Sequence, residues 1–237
     1  MIKGKLAENN YKPRFSGHET FPFRYLWISK LLISIQNHGS ENVNKMSLMD
    51  LMVLWGCGAN MTKSIKHWCI ALDIIDHKYN LSEFGQLLLE KDPYLEDQQT
   101  LWLLHWKIAS NINFTTWFYV FNYMQVSKIN KSDIVNELIS LWPKSSRNTI
   151  ERDVDVFIRT YTLSLNKKGQ MSEDSLECPL SELNLINPTS QKGFYEIQRG
   201  AKPSLTPQVF KYALAEFCIS NLNTSRLISF DNLLYSE

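Results

Sequence analysis

The sequence predicts a mainly α-helical protein with a winged-helix core (helix-turn-helix with a β-wing), continuous with a second, helix-turn-helix-like helical subdomain. Three observations carry this. Apolar residues recur at helical spacing in Ile65, Trp68, Cys69 and Leu72, and again in Ile150, Val154, Phe157, Ile158 and Tyr161. Each stripe follows a short turn and an earlier amphipathic helix, the order of a helix-turn-helix. Residues 100–109 and 115–124 between them are apolar nearly all round, with Trp102, Trp106, Trp117, Phe118 and Phe121, so they belong inside one body.

Taken in order, Pro22 sits in the first turn of a helix running to about residue 35, and residues 39–45 read as a loop. Ser47 caps a helix through Trp55, with Asp50 three residues on completing a capping box. A glycine turn follows, Asn60 being the N-cap of the next helix. Residues 74–81 read as a two-stranded wing with a polar tip, and Ser82 caps a short helix to about residue 90. Residues 92–97 form an acidic break. Ser132 caps a helix with Ile134, Val135, Leu138 and Leu141 inward, and residues 143–146 turn the chain. Asn148 and Glu151 give a capping pair for the next helix. Residues 166–177 read as a polar loop, followed by short strands or irregular structure and a helix begun at Thr206-Pro207 and ending near residue 220. The expected divisions are a polar lead (1–14), a winged-helix part (15–91), a helical part with the second turn unit (92–165) and a C-terminal part packed on the body (166–237).

Composition narrows the function classes. The 237 residues are 44% hydrophobic and 21% charged, an ordinary globular balance. Net charge is +1, so a nucleic-acid surface has to be local rather than a field of the whole protein. Cys57, Cys69, Cys178 and Cys218 are too scattered for a metal knuckle or disulfide framework. The polar first 12 residues lack the apolar region of a secretory signal, and no apolar stretch reaches membrane-span length. A cytoplasmic protein without a membrane partner is expected.

DNA is the first partner the patterning suggests. On the helix after the glycine turn, Lys63 and Lys66 suit phosphates, while Asn60, Ser64 and His67 suit phosphates or base edges. Lys78, beside His77 at the wing tip, extends this set. In the second unit Arg147, Arg152 and Arg159 lie among Glu151, Asp153 and Asp155, whose carboxylates repel phosphate, so its helix is expected to pack or to meet a partner subunit. The turn residues Lys144, Ser145, Ser146 and Arg147 remain candidate backbone contacts.

For phosphodiester chemistry the candidates are His18, Glu19, Asp92 and Asp97 as metal ligands, with Arg24 holding phosphate, provided the fold brings them together. The alternative has Asp92 and Asp97 capping the helix near residue 100 and His18 bonding backbone in a buried turn. His105, in an apolar helix, reads as a core histidine. The sequence shows no nuclease signature of paired carboxylates and lysine at fixed spacing.

Several segments together match one family: Phe15-Ser16-Gly17-His18-Glu19-Thr20-Phe21 with Arg24-Tyr25, Gly56-Cys57-Gly58-Ala59-Asn60-Met61 with Ser64-Ile65-Lys66-His67-Trp68, Asp92-Pro93-Tyr94-Leu95-Glu96-Asp97, Thr100-Leu101-Trp102-Leu103-Leu104-His105-Trp106, Thr115-Thr116-Trp117, and Arg152-Asp153-Val154-Asp155. The pattern resembles the bacterial domain-of-unknown-function 4007 family, which includes SspB-like components of DNA phosphorothioation systems, over roughly residues 15 to 165. The resemblance implies a DNA-binding role in anti-phage defence and a DNA-nicking subunit working beside a cysteine desulfurase, an ATP pyrophosphatase and an ATPase. A nickase implies divalent metal, Mg or Mn; otherwise no cofactor is evident. The alternative is a noncatalytic winged-helix regulator or adaptor that docks partner enzymes.

Overall fold

The computed structural model describes residue 6 and residues 10–162 and 178–221, which form ten α-helices and one small antiparallel sheet. The polar loop expected at 166–177 lies outside the described residues. Helix α1 (Tyr25–His38) starts three residues after Pro22 and buries Trp27, Ile28, Leu31, Leu32 and Ile35 before Gly39, at φ 78°, ends it. Residues 40–45, expected as a loop, wind into the short helix α2 (Ser40–Lys45), which drops Val43 into the core and pairs Lys45 with Glu41 one turn back. Helix α3 (Leu48–Trp55) has the expected capping box: Ser47 Oγ accepts from Asp50 N, and Asp50 accepts from Ser47 N at 2.9 Å. Gly56, left-handed at φ 60°, stops it.

Helix α4 (Ala59–Ala71) is capped by Gly58 rather than Asn60, because the first intrahelical bond runs from Thr62 N to Gly58 O at 2.9 Å. Asn60 is therefore an exposed residue of the first turn. The wing is reduced to a single antiparallel bridge between Ile75 and Leu81. Asp76 explains this: its carboxylate accepts the N–H groups of Lys78 and Asn80, folding an Asx turn that leaves too little chain for two strands. Ser82 caps α5 (Glu83–Lys91) as expected. Gly85 lets α5 close on this turn, since a Cβ there would lie 2.1 Å from Ile74 O.

Helices α6 (Gln98–Ala109) and α7 (Thr115–Asn122) form the interior. Strand β1 (Lys128–Asn130), too short to show in the sequence pattern, leads into α8 (Lys131–Leu141). Asn130, not Ser132, caps α8, accepting from Asp133 N at 2.9 Å. Helix α9 (Arg147–Tyr161) begins at Ser146, so Asn148 and Glu151 sit inside it and Glu151 pairs with Arg147 instead. A 3-10 turn (Pro179–Leu183) precedes β2 (Ile186–Pro188) and β3 (Phe194–Ile197); β3 lies between β1 and β2, with Ile129 opposite Tyr195 and Ile186 opposite Ile197. Helix α10 (Pro207–Asn221) follows Thr206 and is held by Glu216, which accepts from Lys107 and Trp106 of α6.

One cluster of buried apolar side chains runs from Phe15 to Val209. Its centre is an aromatic chain: Trp68 of α4 meets Trp117 of α7, which meets Phe157 of α9, with ring centroids 5.6 and 5.5 Å apart. Among the described residues no helix is long and apolar enough to cross a membrane.

Candidate functional site

The segment before α1 is where distant parts of the chain meet. Phe15 and Phe23 anchor it in the core, and between them Gly17 (φ 117°), Glu19 and Thr20 take left-handed conformations that coil the backbone tightly. His18 is pushed inward, 3% exposed. Its Nδ1 accepts from Thr20 N at 3.0 Å, so the ring proton belongs on Nε2, which donates to Asp153 Oδ1 of α9 at 2.8 Å. Thr116 of α7 donates to the other Asp153 oxygen. The carbonyl of His18 accepts from Ser64 Oγ of α4 at 2.9 Å, and the carbonyl of Phe21 accepts from Trp68 Nε1. Four of the segments that carry the family resemblance thus converge on one tight turn.

His67 covers this turn. Its ring centroid lies 5.2 Å from that of Phe114 and 6.3 Å from that of His18. A Cβ on Gly17 would fall 2.3 Å from the His67 ring, so glycine is required for the approach as well as for its φ. Desolvation, reinforced by His18 and Arg14, lowers the His67 pKa to about 4, which keeps the imidazole neutral at pH 7. Beside it is a recess of about 10 Å³, room for about one water molecule, lined by Arg14, Ser16, Asn113, Trp117 and Asp153. Trp117 Nε1 is a buried donor without a hydrogen-bond acceptor among the described residues. The recess is thus flanked by a neutral imidazole, by Asp153 and by an exposed guanidinium.

The expected cutting residues do not gather there. Glu19 is half-buried in the turn, and Arg24 lies over the rings of Phe21 and Trp27, 5.7 Å from each centroid. Asp92 uses its two oxygens for the backbone N–H groups of Glu96 and Asp97, and Asp97 caps α6 through Gln99 N. His18 has both ring nitrogens engaged. Among the described residues no three His, Cys, Asp or Glu side chains come together as a metal cage. His105, as expected of a core histidine, bonds Tyr161 Oη at 3.0 Å, and burial holds its pKa at about 3.

The expected DNA-facing residues divide. Asn60, Lys63, Lys78, Lys144, Ser146 and Arg147 are exposed, and Ser145 is half-buried. Arg147 is paired with Glu151 at 2.8 Å. Lys66 folds back over the Tyr79 ring, 4.1 Å from its centroid. Ser64 and His67, placed on the outer face by the sequence pattern, turn inward: Ser64 is fully buried and His67 lies in the aromatic cluster. The physical reason is that the N-terminal segment covers that side of α4. The pattern likewise gave Asp153 an outer, phosphate-repelling role, whereas it is buried against His18. A signal for it existed, because Asp153 stands three residues after Ile150 and four before Phe157, within the apolar stripe of α9.

The model of a family described as a protein of unknown function, DUF4007, matches residues 15–237. A magnesium ion-bound SspB crystal structure is similar with a TM-score of 0.78 at 23% identity, over 98% of this chain and 73% of that one. Another SspB crystal structure is similar with a TM-score of 0.72 at 26% identity, over 92% of this chain and 69% of that one. No curated protein matches the sequence.

Proposed function

The chain belongs to the DUF4007 family, and from that premise we propose that it is a DNA-engaging component of a DNA phosphorothioation system of the SspB kind. The likeness to SspB structures over nearly the whole chain is the observation that carries the reading. In it, α3 and α4 act as a helix-turn-helix with the Ile75–Leu81 turn as a rudimentary wing. Asn60 and Lys63 on the exposed start of α4, with Lys78 on that turn, contact the DNA backbone, and Lys144 and Arg147 add a second contact. Partners are the cysteine desulfurase, ATP pyrophosphatase and ATPase that the resemblance implies, and the protein acts in the cytoplasm.

Nicking is the finer reading. Magnesium is bound in a related SspB structure. Here the four residues expected as ligands do not fit it as they stand, since His18, Asp92 and Asp97 are committed to Asp153, Thr20 and their own loop. One observation favours the adaptor reading: the burial of Ser64 and His67 narrows the polar face of α4 available to DNA.

The deciding experiment incubates the purified protein with supercoiled plasmid, with and without magnesium or manganese, and measures duplex binding in parallel. Open circles that appear only with metal support nicking. Binding without open circles leaves a DNA-engaging subunit without chemistry. Absence of both overturns the DNA reading and leaves the adaptor.

A further inference from the structure

Helix α10 lies across α6 with little of itself buried. Among its described residues Val209 alone is buried, while Phe210 is 56% exposed and Ile219 71%. A helix held by its apolar face buries such residues on successive turns. Here polar contacts hold it, and they fall at two points. Ahead of the helix, the Gln99 side chain of α6 grips the incoming chain: Nε2 donates to Ser204 O at 2.8 Å, and Oε1 accepts from Thr206 N at 3.1 Å and Thr206 Oγ1 at 2.8 Å. Trp102 Nε1 adds a bond to Ser204 Oγ at 3.2 Å. Further along, the Glu216 carboxylate accepts from Trp106 Nε1 through one oxygen and from Lys107 Nζ through the other, both at 2.7 Å. Tyr212, one turn earlier, donates to the same carboxylate at 2.5 Å.

The surroundings of Glu216 let it leave without stranding a buried charge. Lys107 is 8% exposed and pairs with two carboxylates, Glu216 at 2.7 Å and Asp73 at 3.0 Å. Asp73 lies in the turn after α4, off the helix that carries Glu216, so it stays with Lys107 when Glu216 departs. The usual cost of breaking a buried ion pair, an uncompensated charge, is thereby avoided. The Trp106 N–H exchanges its carboxylate for water, because a cleft of about 620 Å³ already opens beside it. Ile70, Trp106 and Phe118 line the body side of this cleft, and Phe217 and Ile219 of α10 line the other.

We propose that α10 is a releasable strap. It turns about the Gln99 grip, is held shut by Glu216, and when released uncovers on α6 a seat for a carboxylate carried by another helix. Glu216 itself defines the ligand: the seat gives one donor to each carboxylate oxygen, with a positive charge beside them. The cleft alongside supplies apolar surface for the helix that brings the carboxylate. A partner's acidic, amphipathic helix competes with the strap for this seat, and the tether gives the strap the advantage of effective concentration until the partner is present. The inference does not depend on DNA engagement.

Hydrogen exchange of the full chain, read by mass spectrometry, tests the strap, and a peptide tests the seat. In the wild type, α10 is expected to exchange through its own opening, unaffected by low urea, while α6 and α7 wait for global unfolding. Glu216→Gln removes the charge that Lys107 grips, so α10 should exchange roughly tenfold or more faster, with α6 and α7 as before. A peptide of residues 204–221 should bind the Glu216→Gln protein roughly tenfold or more tightly than the same peptide carrying that substitution. If Glu216→Gln fails to fold, Glu216→Asp, one methylene shorter, takes its place. The inference is overturned by an α10 that exchanges in step with α6 in the wild type, or by unchanged α10 exchange in the folded variant. A loss of protection that spreads through α6 and α7, or two peptides that bind equally or not at all, also overturns it.

Discussion

The two helix pairs that the sequence reads as helix-turn-helix-like, α3–α4 and α8–α9, differ in what they show to solvent. Helix α8 presents Ser132, Asp133, Asn136, Glu137 and Ser140, whereas its counterpart α3 presents Met49, Val53 and Leu54. The second helices differ too. Helix α9 pairs part of its charge with its own surroundings, Arg147 with Glu151 and Asp155 with Lys131 of α8, although Arg152 stays exposed, while Lys63 of α4 stands exposed. Self-paired charges on a solvated face add little stability and offer little to a ligand. The first unit thus turns more apolar surface to solvent than the second, along with a lysine that makes no ion pair among the described residues. His18 joins them, its carbonyl taken by Ser64 of the first and its ring by Asp153 of the second.

The sharpest way to break that joint is Asp153→Ala. It removes the acceptor from two buried donors, His18 Nε2–H and the Thr116 hydroxyl, at about 1–3 kcal/mol each. A loss of about 3 kcal/mol or more is expected in urea unfolding, with Asp153→Asn losing less than half of that because it keeps an acceptor for His18. Amide hydrogen exchange locates the damage. Protection should fall in α4 as well as α9, and loss confined to α9 would show that His18 does not couple the units.

How much of this was legible depended on whether a residue's role was set within its own segment. The Ser47–Asp50 capping box, the Ser82 cap, the apolar stripe of α9 and the start of α10 follow from neighbours within a turn, and all were readable. The caps Gly58 and Asn130 each fell two residues before the expected ones, because each stretch offers a second capping residue two positions earlier. The site was less readable. Periodicity showed which side of α4 was apolar, but not that residues 15–21 would cover part of its polar side. Likewise Asp153 is the partner of His18 across a sequence separation of 135, and no local pattern encodes that pairing.

Acid separates the units by a smaller margin. His67 belongs to the first unit, and burial lowers its pKa from 6.5 to about 4. The unfolded chain then binds more protons than the folded one between those values, so stability is fully present above pH 6.5 and falls as the pH drops toward 4. His105, which bonds Tyr161 at the end of α9, repeats this with its pKa lowered to about 3, so its share of the loss continues further into acid. His67→Asn should flatten the upper part of the fall and leave the lower part in place. Chemical denaturation at stepped pH measures both, and an unchanged profile for the variant would remove His67 as a source.

The smallest effect separates the two units as DNA contacts. Lys63 is exposed and makes no ion pair among the described residues, whereas Arg147 is already paired with Glu151 and bonded to Asn136. A cation that neutralises one phosphate releases counterions, so its loss should lower the slope of log K against log salt by about 0.9. In titrations of duplex DNA, Lys63→Ala is expected to lose close to that amount and to weaken binding evenly across sequences. Arg147→Ala should lose clearly less, because its charge is partly answered by Glu151 before DNA arrives. Equal slopes for the two variants would mean that the second unit approaches DNA as closely as the first. A larger loss for Arg147→Ala would reverse the assignment and make the α8–α9 turn the principal contact.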